Sequence, residues 1–128
     1  MNDTITTLLT AKKAMANFVQ QRDWQQFHTP KNLSMSIAIE AAELMEKFQW
    51  SSVEESVNLV DREKKQISHE IADIFSYLLS FCNLHEIDLA LALENKLKIN
   101  AKKNPIEKVK GSFEKYIEVK KNKKNNVK

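Results

Sequence analysis

Hydrophobic positions along this chain recur at the three- and four-residue intervals of helices. Ile5, Leu8, Leu9, Met15, Phe18 and Val19 mark one face of a first helix over about residues 4–22, with Lys12, Lys13, Gln20 and Gln21 off that face. A polar and aromatic connector, Asp23-Trp24-Gln25-Gln26-Phe27-His28-Thr29-Pro30, interrupts the pattern. Pro30 biases Thr29 away from helix, which makes this a break. The second helix, roughly residues 33–49, is apolar nearly all round through Met35, Ile37, Ala38, Ile39, Ala41, Ala42, Leu44 and Met45, so it is expected to be central and largely buried. Ser52 and Glu55 have the spacing of a capping box for a short turn after Trp50. A third helix, from residue 61 or 62 to about 84, carries Ile67, Ile71, Ile74, Leu78 and Phe81 as a core stripe. Asp88 is placed to cap a fourth helix over residues 89–103, which Pro105 stops. The fold class this predicts is all-α: an antiparallel four-helix bundle, with room for completion by another subunit.

Composition agrees. One glycine and two prolines in 128 residues are too few for a hairpin-rich β fold. The length suits a single core, expected over residues 1–110. The net charge of +3 is unevenly spread: from Ile106 onward eight lysines face three glutamates, so the end carries +5 and the body −2. Residues 111–128 therefore read as a solvated basic tail, partly disordered, and not as a nucleic-acid surface, which needs basic groups organised on a folded face. Cys82, the lone cysteine, has apolar neighbours and reads as an inert core thiol. No segment resembles a signal peptide or a membrane span, so no membrane partner and a cytoplasmic setting are the expectation.

The conflict with a simple core lies in the acids. Glu40 and Glu43 interrupt the most apolar stretch of the second helix, three apart and so on one face. Glu70 and Asp73 repeat the spacing beside the stripe of the third helix. Two carboxylates about 4 Å apart repel by roughly 4 kcal/mol at an effective dielectric of 20. Four that converge require protonation or a shared cation. Oxygen ligands suit a hard ion, Mg²⁺ or Mn²⁺. Surface ion pairing, Glu43 with Lys47 at i, i+4, is the ordinary alternative for one pair, but a second pair on a core-facing helix argues against it. A di-iron bundle needs Glu-x-x-His, and His28, His69 and His85 all lack a glutamate three residues earlier.

Lys96, Asn100 and Lys103 fall at i, i+4, i+7 on the fourth helix, a face suited to phosphate oxygens. Tyr77 shares the face of Asp73, and Trp24, Phe27, His28 and Trp50 flank the ends of the first two helices, where aromatics stack a base or plug the bundle.

Glu40-Ala-Ala-Glu43 followed by Glu70-Ile-Ala-Asp73 resembles the paired acidic signature of the MazG-like all-α NTP pyrophosphatases. The segments 22–33, Glu46-Lys47-Phe48-Gln49-Trp50, Gly111-Ser112 and Lys115-Tyr116 bring the resemblance to the dCTP pyrophosphatase branch, over about residues 10–117. The resemblance implies a bundle of that type and hydrolysis of a nucleoside triphosphate, dCTP or a modified dCTP first, to the monophosphate and pyrophosphate. It implies Mg²⁺ on Glu40, Glu43, Glu70 and Asp73, with Glu40 or Glu43 orienting or deprotonating the attacking water. Trp24 and Trp50 would border the base. Tyr77 and Asn100 would meet the nucleotide, and Lys96 the phosphates. A homodimer or homotetramer with sites near subunit interfaces is also implied. Met15 and Lys102-Lys103-Asn104 depart from the branch and bear on sugar or base preference. The competing classes are a non-catalytic helical interaction module and the same enzyme acting on dUTP or another non-canonical nucleotide.

Overall fold

The computed structural model describes residues 1–125, with side chains through residue 122 apart from 119. The described residues hold helices and turns and no strand. Seven α-helices follow one another: α1 Leu8–Gln20, α2 Pro30–Glu46, α3 Val53–Arg62, α4 Lys64–Leu84, α5 Leu89–Lys103, α6 Ile106–Val109 and α7 Phe113–Asn125, with a 3₁₀ turn at Trp24–Phe27. They fall into two units, Met1–Ile87 and Asp88–Lys128. The all-α expectation holds.

Local chemistry sets the ends. α1 starts at Leu8, four residues later than its apolar pattern suggests, because Thr7 caps it by accepting from Thr10 N–H at 3.1 Å. The residues before it form a turn of their own, with Asn2 Oδ1 accepting from the N–H groups of Thr4 and Ile5. α2 starts earlier than expected. Pro30 occupies its first turn, where a missing N–H costs nothing, and Thr29 caps the Asn32 N–H. The expected short turn after Trp50 is a ten-residue helix, α3, opened by a complete capping box between Ser52 and Glu55. Glu63 is the only residue between α3 and α4.

In the first unit α4 is the hub, packing against α1, α2 and α3. Lys47 meets Glu70 while Glu40 lies near Asp73, the reversed order of antiparallel helices. Cross-links tie α1 to the end of α4: Asn83 donates to Lys12 O, and the Lys12 ammonium to Ile87 O, both at 2.9 Å. The core comprises Val19, Leu33, Leu59, Ile67, Leu79 and Cys82, with Leu33 only 1% exposed. Cys82 is buried as expected.

Two burial expectations are corrected. Leu33 is the one buried residue of α2, and Met35, Ile39 and Met45 remain 53–63% exposed. On α4, Ile67 is buried but Ile71 and Leu78 are not. Periodicity marks which face is apolar; it does not supply the neighbour that covers it.

In the second unit, Asp88 caps α5 through Leu91 N–H at 2.9 Å, and α5 ends at Lys103, both as the sequence predicts. Gly111 joins α6 to α7 at φ +70°, a backbone region that strains residues with a Cβ. Residues 113–125 of the expected tail are helical, and its last three residues, 126–128, lie outside the described residues. No described helix is long and apolar enough to cross a membrane.

Candidate active site

The helical spacing of the acids places them where α2 and α4 run side by side. One carboxylate oxygen from each of Glu40, Glu43 and Glu70 lies within 4.8 Å of the others. Asp73 stands on the adjoining wall and is felt by Glu40. The Glu40 carboxyl is pushed above the usual glutamate range, first by burial and then by repulsion from Glu43, Asp73 and Glu70. Such a set is short of positive charge.

Lys47 brings a cation to the cluster. Lys47 Nζ lies 3.1 Å from Glu70 Oε1, an ion pair across the helices and not the i, i+4 pair with Glu43 that spacing alone offers. That hydrogen bond and the Glu70 charge raise the Lys47 pKa, outweighing burial, with Glu63 and Glu43 adding to them.

A cavity of about 880 Å³ opens beside the acids. Glu40, Glu43 and Asp73 form its acidic side, and Trp24, His28 and Tyr77 line it too. Five groups singled out from separate stretches of sequence thus meet Glu40 in one space. Backbone geometry presents Trp24: Asp23 adopts φ +52°, a left-handed conformation that a short polar side chain tolerates, and turns the chain sharply after α1. The Trp24 ring stands edge-on to Phe18 at 5.8 Å, and the Arg22 guanidinium sits 3.6 Å above Phe18 while donating to its carbonyl at 3.0 Å. Burial lowers the His28 pKa, which favours the neutral imidazole.

Trp50 is placed elsewhere. It is 89% exposed and borders a second, smaller cavity of about 340 Å³ with Lys47, Glu55, Asn58 and Arg62. Lys96, Asn100 and Lys103 lie on α5, in the second unit. The sequence reading missed two contributors: the cross-helix partner of Lys47, and the turn at Met1, Asn2 and Asp3, which lines the large cavity. No pattern in the sequence signals either, because both are set by how α1 and α2 lie against α4.

The MazG-like family model matches residues 35–119, a span that contains all four acids. The chain belongs to the MazG-like family. It is 34% identical over 115 residues to dCTP pyrophosphatase 1 of Homo sapiens and 32% identical to that of Mus musculus, covering 88% of this chain and 68% of each relative. A crystal structure of a pyrophosphatase from Archaeoglobus fulgidus superposes with a TM-score of 0.75 at 37% identity, covering 82% of this chain and 98% of the other. The enzyme class read from the MazG-like signature, nucleoside triphosphate pyrophosphatase, agrees with these relatives.

Proposed function

We propose that this nucleoside triphosphate pyrophosphatase hydrolyses dCTP or a modified dCTP to the monophosphate and pyrophosphate, assisted by Mg²⁺ or Mn²⁺ held by Glu40, Glu43, Glu70 and Asp73. The observation that carries the reading is the large cavity, where the carboxylates of Glu40, Glu43 and Asp73 share one space with Trp24, Tyr77 and His28. The donor set fits the ion: the ligands are carboxylates, oxygens of Glu40, Glu43 and Glu70 lie within 4.8 Å of one another, and burial, then repulsion from Glu43, Asp73 and Glu70, raises the Glu40 pKa. A hard divalent ion there would neutralise phosphate charge and acidify water.

The chain's own groups then divide the work. Glu40 or Glu43 orients or deprotonates the water that attacks the α-phosphorus. Trp24 offers a face to the base, with Tyr77 and neutral His28 beside it. Lys96 is assigned to the phosphates and Asn100 to the nucleotide on the strength of the family resemblance, and Lys103 to the phosphates on its helical spacing from both. The exposed apolar residues of α2 and α4, Met35, Ile39, Met45 and Ile71, support a homodimer or homotetramer, since an open face of this kind invites a second copy.

The test is pyrophosphate release from dCTP, 5-substituted dCTP, dUTP, dTTP, CTP, dATP and dGTP at one Mg²⁺ concentration. The cytosine deoxynucleotides are expected to rank first in kcat/KM. A purine at the head of the ranking would overturn the base assignment.

A further inference from the structure

The Glu70 carboxylate serves two groups at once. It contributes to the cluster within 4.8 Å of Glu40 and Glu43, and its Oε1 takes the Lys47 ammonium at 3.1 Å. The pair is partly shielded, with side chains 30% exposed at Lys47 and 14% at Glu70. Lys47 follows Glu43 by four residues, yet it pairs across to α4 and not back along its own helix. Its charge is therefore directed at the place where carboxylates converge. The same side chain borders the smaller cavity, where Glu46 and Glu55 provide other acidic neighbours.

We propose that Lys47 is a built-in competitor for the divalent cation, an internal counter-ion that must release Glu70 before Glu70 can join the carboxylate set around the ion. The inference rests on the reading of the four acids as cation ligands. Two effects act in the same direction. A divalent ion repels the nearby ammonium, and an oxygen held by Lys47 is a poorer donor to a second cation. The smaller cavity, lined by Glu46 and Glu55 as well as Arg62, is the space a displaced ammonium would enter. Removing the Lys47 charge should therefore tighten cation binding by roughly fivefold, the order set by a partly shielded ion pair that no longer has to be broken. A lysine that merely steadied Glu70 for the ion would have the opposite sign, because loss of a supporting partner weakens a metal site.

The experiment is Mn²⁺ binding to the full chain without nucleotide, followed by the electron paramagnetic resonance signal of free Mn²⁺ at fixed ionic strength. Wild type is compared with Lys47→Met, Lys47→Gln and Lys47→Arg, with circular dichroism confirming the fold of each. The two neutral variants are both expected to bind Mn²⁺ more tightly, so either suffices if the other fails to fold. Lys47→Arg, which keeps the charge, should stay within about twofold of wild type. Unchanged or weaker Mn²⁺ binding in the neutral variants overturns the inference and leaves the cation site standing. Tightening in Lys47→Arg equal to that in Lys47→Met would also overturn it, since the effect would not follow the charge. No Mn²⁺ binding by any of the proteins removes the cation site itself and this inference with it.

Discussion

The two tryptophan-lined cavities of the first unit differ in what surrounds the ring. Trp24 is packed edge-on against Phe18, positioned by the turn at Asp23, and shares its space with Glu40, Glu43, Asp73, His28 and Tyr77. Trp50 is 89% exposed beside Lys47, Glu55 and Arg62, in a cavity less than half the volume. In sequence the two look equivalent, an aromatic at either end of the second helix. What separates them is access to the acids: Trp24 shares a cavity with Glu40 and Glu43, whereas Trp50 shares one with Lys47, whose ammonium lies on Glu70. An aromatic near a helix end becomes a base platform only if the same space also reaches the groups that handle phosphate.

The sharpest way to break this contrast is to remove a carboxylate. Glu43→Gln is expected to lower kcat beyond the ~10–100-fold that loss of a supporting metal-site partner costs, with helical content retained. Because one like charge is gone, its melting temperature without divalent cation should equal or exceed that of wild type. Full turnover in this variant would detach the large cavity from the chemistry.

Next in size is the pair of tryptophan variants. Base stacking contributes ~1–3 kcal/mol per base, so Trp24→Ala should raise KM by about 5- to 150-fold across several nucleotides without reordering them. Trp50→Ala should change KM by no more than about twofold, as for an exposed ring that borders the other cavity. Equal effects in the two variants would mean that both rings border one nucleotide, an arrangement that needs a second copy of the chain.

The smallest effect concerns His28. Its folded pKa lies below the ordinary 6.5 because burial disfavours the charged ring. As pH falls through 6.5 the unfolded chain takes up the proton first, so this contribution to stability is whole above that value and is lost as pH drops through the folded pKa. The loss of melting temperature between about pH 7 and 5 should be shallower in His28→Gln, since the residue that titrates there is gone. Identical slopes would show that His28 does not govern this range.

The helices were legible because their patterns are local. Asp88 as a cap, Pro105 as a stop and the three-residue spacing of the acids each state a geometry within one or two turns. Helix α3 was legible too: Val53, Val57 and Val60 repeat at i, i+4, i+7 behind the capping box, a helical signal that the expectation of a short turn passes over. α2 begins three residues before its expected start because a proline that breaks one helix also opens the next. The site was half legible. Spacing put Glu40 with Glu43, and Glu70 with Asp73, but it gave no information on which cation lies across the helices. Lys47 could be paired along the chain from sequence, and only the packing of α2 on α4 turns it to Glu70.

The apolar residues left open on α2 and α4 also bear on how the enzyme is handled. Met35, Ile39 and Ile71 are each more than half exposed within one chain. If a second copy covers them, dilution becomes a denaturing variable, because the stability of an assembled form falls with protomer concentration by mass action. Melting curves recorded at micromolar protein and turnover measured at nanomolar protein would then describe different species. Specific activity would fall on dilution and recover, after a lag, when the protein is concentrated again.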